Sequence, residues 1–292
     1  MNKQLLIFFI LLLFSYSCSK KEQTAIVAPT KVKHDSLSSW VAKSESPNIS
    51  EAQRKSLIAK AYQLAINTKN DTVKAQHLSL LSFKLPLLAD SSLYRTINKE
   101  AINSNYHIND SLAIGNTYWD LASFLDRNKV KDSAYYYYSE AQKVFEGIGN
   151  KLYSGQLLYT MATLQVQIKD YVGSEITITK AIEILKPLHD NNQLFKCYNL
   201  LGIALGGVGD FEKSLEYYEE ALFYLEKLAQ ASALKGSLTN NIGVIYRKNN
   251  QYTRAIENFK KVLQTDSLLA KIPSLYALAL SNLATTKLYK KD

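Results

Sequence analysis

Cysteine, proline and histidine are scarce in this chain of 292 residues, with two, five and four copies. So few prolines leave long stretches free to run as helix, because an interior proline removes a backbone donor and breaks the hydrogen-bond ladder. The histidines, His34, His77, His107 and His189, are scattered, with no i, i+4 pair and no acidic cluster at metal-ligand spacing. Gly206-Gly207-Val208-Gly209 ends a helical pattern and lacks both a preceding strand and a following Lys-Ser/Thr, so it is no phosphate-cradling loop. No serine stands in a nucleophile-elbow context. Asp and Glu read as spread over solvent faces. These absences speak against an enzyme, and no catalytic residue, cofactor or metal is expected. The one sustained apolar run, Leu5–Phe14, is ten residues long. At 1.5 Å per residue it falls well short of a hydrocarbon core of about 30 Å. The net charge is +9, but the lysines are dispersed rather than striped, which reads as a solvated surface and not as a nucleic-acid footprint.

What the chain does contain is a repeated frame. In Gly202–Ala221 a small residue, Gly202, sits midway along an apolar helix, a turn follows at Gly209-Asp210-Phe211, and a second helix carries Ser214, Tyr218 and Ala221. Short side chains let two helix backbones approach, and the aromatics fill the space around the contact. Gly202 and Ala221 are 19 apart, as are Gly243 and Val262, Ala162 and Ala181, Ala122 and Ala141, and Ser82 and Ala101. The lead residues Ala122, Ala162, Gly202, Gly243 and Ala284 advance in steps of 40, 40, 41 and 41. This spacing resembles the tetratricopeptide repeat, a helix–turn–helix unit with small residues at fixed offsets. The resemblance implies an all-α, right-handed superhelical solenoid of antiparallel helix pairs with a concave inner face. Five pairs and a final single helix account for residues 71–292, and the long period is assigned to longer second helices such as Phe211–Gln230.

The front of the chain reads as a targeting segment. Lys3 precedes the apolar run, and Ser15, Ser17 and Cys18 follow it. This resembles the bacterial lipoprotein signal, in which the cysteine is lipidated and becomes the new N-terminus; Tyr16 departs from its strictest form. The alternative is an ordinary secretory signal with a bystander cysteine. Lipidation of Cys18 would leave Cys197 without a disulfide partner, and Cys197 is assigned to packing in an apolar helix. Residues 19–49 are polar and lysine-rich, with Pro29 and Pro47, and read as a flexible tether in which Trp40 marks a short docking turn. Residues 50–292 form the solenoid.

Ser50-Glu51-Ala52-Gln53 has capping-box form and opens an N-terminal half-repeat to about Thr68. Asp71 and Asp90 are expected as N-caps of the first full pair, with a kink or early stop at Pro86. Further pairs are expected at Asp110–Arg127 with Asp132–Phe145, Lys151–Lys169 with Val172–Lys186, Gln193–Val208 with Phe211–Gln230, and Ser232–Lys248 with Tyr252–Thr265. Ile272–Lys291 is a last first-type helix, either a cap or the point at which a longer product is cut. Of the four consecutive tyrosines Tyr135–Tyr138, Tyr138 is assigned to the inter-helix slot and the others to bracing or partial exposure.

In tetratricopeptide proteins the inner face is lined by the first helix of each pair. The resemblance therefore implies a partner-binding surface of Trp119, Ser123, Arg127, Tyr159, Thr163, Val166, Asn199, Ile203, Asn240, Val244, Arg247 and Lys248. The asparagine slot of the chaperone-type carboxylate clamp falls on Ser123, Thr163, Ile203 and Val244, so that specificity is not carried over. An acidic or polar peptide is the expected ligand. The whole pattern resembles the N-terminal region of Bacteroidetes tetratricopeptide lipoproteins and sensors. Three readings follow: a lipid-anchored, monomeric, non-catalytic protein- or peptide-binding scaffold of the cell envelope, facing the periplasm or the outer membrane; the sensory part of a histidine kinase or transcriptional regulator; and, least favoured by the even spacing, a nutrient-binding lipoprotein.

Overall fold

The structure, a computed structural model, describes residues 36–86, 88, 90–229, 232–265 and 268–290. The targeting segment, Cys18 and the first part of the tether lie outside the described residues. Fourteen helices and one 3-10 turn are described, and no strand is found among the described residues.

The chain runs as α1 (Ser36–Ser44), α2 (Glu51–Ile66), α3 (Asp71–Lys84), α4 (Ser91–His107), α5 (Ser111–Arg127), α6 (Lys131–Gly147), α7 (Lys151–Gln167) and α8 (Tyr171–Leu185). After a 3-10 turn at Lys186–Leu188 come α9 (Asn191–Val208), α10 (Phe211–Leu225), α11 (Ser232–Lys248), α12 (Tyr252–Leu263), the four-residue α13 (Leu268–Lys271) and α14 (Pro273–Lys290). Each helix packs chiefly on its neighbours in sequence. First helices also touch one another: α3 meets α5, α7 meets α9, and α11 meets both α9 and α14. No comparable packing joins successive second helices. The first helices therefore form the shorter, inner arc of the stack.

Helix starts follow a cadence of about twenty residues. Ser50, Asn70, Asp90, Asp110, Asn150, Asp170, Asp190 and Asp210 each accept a backbone N–H of the helix they open, which satisfies donors that have no intrahelical partner. Ser50 and Gln53 form the anticipated capping box. The cap of α3 is Asn70, not Asp71, which instead lies in the first turn. α3 stops at Lys84, because the residue before a proline is pushed out of helical geometry. At several turns the residue before the cap is left-handed, as in Lys129, Lys169 and Gly209, whose φ is 92°. The following N–H reaches back to the outgoing helix, as from Asp170 to the Gln165 carbonyl at 2.8 Å.

Three expectations are corrected. The tether does not extend to residue 49: Ser36–Ser44 is helical, and Leu37 and Val41 are buried against α2 and its neighbours. α1 thus supplies the partner that the N-terminal half-repeat lacked. The long period is not met by second helices alone, since α5, α6 and α7 each have 17 residues while α10 has 15. Ala284 does not act as a small residue in a helix contact. It is exposed.

In the α9–α10 and α11–α12 pairs the small residue meets a large one. A Cβ on Gly202 would stand 2.7 Å from the Tyr218 ring, and one on Gly243 would stand 2.7 Å from the Phe259 ring. Tyr218 and Phe259 are both fully buried, and each contributes about 2 kcal/mol or more by leaving water. The same closeness lets Ser214 donate to the Gly202 carbonyl at 2.6 Å, and Ser174 to the Ala162 carbonyl at 3.0 Å. Tyr138 fills its slot, Tyr135 and Tyr137 pack partly on the core, and Tyr136 is exposed. Cys197 is buried, and burial pushes its thiol up to about 12, which makes it unreactive. Replacing Gly202 by Val should destabilise the fold by about 2 kcal/mol, since overpacking outweighs the gain in helix propensity. Urea unfolding measures it, and an unchanged midpoint would contradict the packing described here.

Candidate functional site

The inner face opens into a groove of about 900 Å³ between α3, α5 and α7. Its walls are Ser79, Leu80 and Phe83 from α3, Pro86 beyond it, Asn116, Trp119, Asp120, Ser123 and Arg127 from α5, and Tyr153 and Gln156 from α7. The aromatic wall originates in a glycine. A Cβ on Gly115 would lie 2.8 Å from the Phe145 ring, so its absence is what admits Phe145 to the α5–α6 contact. Trp119 and Tyr153 then pack edge-on against Phe145, at centroid distances of 6.2 and 5.1 Å, and against each other at 5.9 Å. These geometries suit the ring quadrupoles and hold both side chains in place at the groove.

Below this wall lies a polar cluster that sequence reasoning missed. The sequence places Asp120 with the solvent-facing acids, yet it is only partly exposed and faces α3. The Asn98 amide donates to Ser82 Oγ at 2.9 Å, and Ser82 donates in turn to Asp120 Oδ2 at 3.3 Å. Asn98 also donates to the Thr117 carbonyl at 2.9 Å, and Asn105 donates to Ser79 Oγ at 2.9 Å and Thr117 Oγ1 at 3.2 Å. Among the described residues, Tyr94 Oη and Asn98 Oδ1 are buried without a hydrogen-bond partner of good geometry, the Tyr94 hydroxyl lying near Ser82 and Asn98. Burial raises the Asp120 carboxyl from 3.8 to about 7, and the Ser82 hydrogen bond and the Arg127 charge only partly oppose the rise. Burial likewise drives the Tyr94 phenol well above its usual range. No basic side chain pairs directly with Asp120 among the described residues.

Of the expected surface, Trp119, Ser123 and Arg127 share this groove. Ser123 accepts a hydrogen bond from Tyr138 at 3.3 Å, and Arg127 is exposed at the end of α5. Tyr159 and Thr163 are half-buried further along α7, where Thr163 Oγ1 donates to the Tyr159 carbonyl at 2.9 Å. Asn199, Asn240, Arg247 and Lys248 tie repeats together, while Val166 and Ile203 pack partly on the core. Asn241 donates to Asn199 at 3.1 Å, Asn282 to the buried Asn240 at 3.0 Å, and Arg247 to Asn282 at 3.1 Å. Lys248 donates to the Gly206 carbonyl at 3.0 Å. The structure thus separates the expected surface into an open groove and a self-satisfied ladder.

Register explains how Asp120 could have been found. In the 40- and 41-residue frame it is equivalent to Thr160, Leu200, Asn241 and Asn282. The two asparagines at that position reach back to the preceding first helix, and Asp120 does the same toward Ser82. Ser82 in turn takes the slot held elsewhere by Ala or Gly, small enough to fit and able to donate. Among the described residues, no group of three His, Cys, Asp or Glu side chains is placed to hold a metal ion.

Asp120 binds its proton more tightly in the folded than in the unfolded chain, so its contribution to stability is present at low pH and is lost as pH rises from about 4 through about 7. Asp120→Asn should therefore stabilise the fold at pH 8 by about 1–3 kcal/mol and leave it nearly unchanged at pH 4. Urea melts at the two pH values check this, and equal effects at both would remove the buried charge as the cause.

A family model described as tetratricopeptide repeat matches residues 195–222 and 238–267, the region of α9–α10 and α11–α12. The transcriptional activator NprA of Geobacillus stearothermophilus is 25% identical over 171 residues, which cover 56% of this chain and 41% of NprA. This chain thus spans less than half the length of that relative. The crystal structure of BtubC (BKLC) from P. vanneervenii superposes with a TM-score of 0.63 at 17% identity, covering 81% of this chain and 93% of BtubC. The structure of NprR in complex with its cognate peptide NprX gives a TM-score of 0.56 at 14% identity, covering 87% and 72% of the two chains. At these identities the likeness concerns the fold. With its helix pairs, its small-residue frame and the matched repeats, this chain is a right-handed superhelical solenoid of tetratricopeptide repeats.

Proposed function

We propose that this protein is a non-catalytic interaction scaffold that binds a peptide or an extended protein segment in the groove between α3, α5 and α7. The observation that carries the reading is the groove itself: about 900 Å³, walled by braced aromatic side chains and open polar groups on the inner face. Rigid aromatic anchors surrounded by polar groups are the composition that supplies most binding energy at protein interfaces. The NprR structure, which holds a peptide on a similar fold, supports the same assignment. Arg247, Lys248 and Asn240 are already committed to partners within the chain and are not part of the proposed contact surface.

Random-peptide display against the full-length protein tests this. Selected peptides should bind at least tenfold more weakly to Trp119→Ala, and also to Gln156→Trp, which fills the groove without altering the core. Thermal melts show whether each variant is folded. Peptides that bind both folded variants as well as the original chain would place the site elsewhere.

The N-terminal segment supports a lipid-anchored protein of the bacterial cell envelope. Metabolic labelling with an alkyne fatty acid should mark the protein and should fail for Cys18→Ala, which should also leave the membrane fraction. Labelling of the variant would remove Cys18 as the attachment point. A second reading, the sensory portion of a signalling protein, is favoured by the match to NprA, a transcriptional activator of which the aligned region forms 41%.

A further inference from the structure

We propose that the groove is selective for a basic side chain of the bound peptide, which enters beside Trp119 and pairs with Asp120. The inference deepens the peptide-binding reading and rests on it. Asp120 is the acidic residue that lines the groove, and among the described residues its only hydrogen bond is the one from Ser82 at 3.3 Å. A carboxylate with one neutral donor keeps several acceptor positions open, and in a partly dehydrated site an unpaired charge is costly. Among the described residues, the groups packed around it supply no cation of their own at contact distance. On α4, Tyr94 is an uncharged phenol and Asn98 is neutral. On α3, Ser82 is neutral; on α5 itself, Arg127 lies two turns away and acts only through space.

A ligand cation restores what the fold leaves out. A guanidinium or ammonium at Asp120 makes a charge-assisted hydrogen bond, and its stem lies along Trp119, Tyr153 and Phe83. Arg127, two turns further along α5 in the same groove, repels a second positive charge, so the site takes one basic side chain and not a polybasic run. This is opposite in sign to the acidic ligand expected from the inner-face basic residues, two of which are occupied by ladder contacts.

The expected pH response follows from Asp120. The basic side chain pairs with the ionised carboxylate, whose proton leaves at about 7 in the free protein. Affinity should therefore fall about thirtyfold from pH 8 to pH 5.5, following the ionised fraction. Asp120→Asn keeps the acceptor for Ser82 and removes the charge.

The test is display selection on the full-length chain and on Asp120→Asn, followed by titration of the selected peptides as acetylated synthetic decapeptides. Support consists of wild-type-selected peptides sharing one Arg or Lys, whose replacement by norleucine weakens binding at least tenfold. Those peptides should also lose at least tenfold on Asp120→Asn and show the pH dependence only with the original chain. Peptides that are blocked by Gln156→Trp yet ignore Asp120→Asn overturn this inference and leave the groove reading intact. Loss of binding on N-terminal acetylation assigns Asp120 to a terminal ammonium and overturns the side-chain proposal. If no peptide is selected, or if all survive Gln156→Trp, the groove reading fails and this inference fails with it.

Discussion

The rest of the molecule depends on the contact of a short residue on one helix with a large residue on the next. Where Gly202 meets Tyr218 and Gly243 meets Phe259, the glycine lacks the atom that would collide with the ring. Ala122 with Tyr138 and Ala162 with Ile178 occupy the equivalent positions, all buried. This contact sets the separation within each pair, and close packing transmits it to the neighbouring pair. A repeat cannot bury its second face alone, so the same contact made again forty residues later is what turns pairs into a stack.

The groove is a local variation on that contact. Gly115 and Gly155 are forty apart, and both are closed over by a side chain from the following helix. The closing residue is Phe145 in one case and Leu185 in the other. Only the aromatic provides an edge for Trp119 and Tyr153 to pack against. One substitution within the frame thus separates an ordinary contact within a helix pair from a rigid aromatic wall.

The two halves of the inner face handle polarity differently. Between α9, α11 and α14, amide side chains satisfy one another and Arg247 across successive first helices. Among the described residues the polar cluster of α3, α4 and α5 is left incomplete, with Tyr94 Oη and Asn98 Oδ1 lacking a well-placed partner and Asp120 held by one hydroxyl. A satisfied amide ladder rigidifies the stack. In the incomplete cluster Asp120 is the member that lines the open groove, while Tyr94 and Asn98 lie buried behind it.

Helix starts, turns and the repeat were legible in the sequence because each depends on local chemistry. Ser50 with Gln53 and Asp90 cap their helices as expected, while Asp71 yields the cap position to Asn70 one residue earlier, and small residues at fixed offsets report a backbone approach without knowledge of the partner. The placement of Trp119, Ser123 and Arg127 on one face also followed from register. What only the tertiary structure decided was which members of that face stay open. Asn240, Arg247 and Lys248 looked equivalent to Arg127 until neighbouring helices supplied their partners. Asp120 looked like any surface acid until α3 and α4 closed over it. Capping and helical periodicity act within a few residues of sequence, whereas desolvation and hydrogen-bond satisfaction depend on atoms some forty residues away, as Ser82 and Asp120 do.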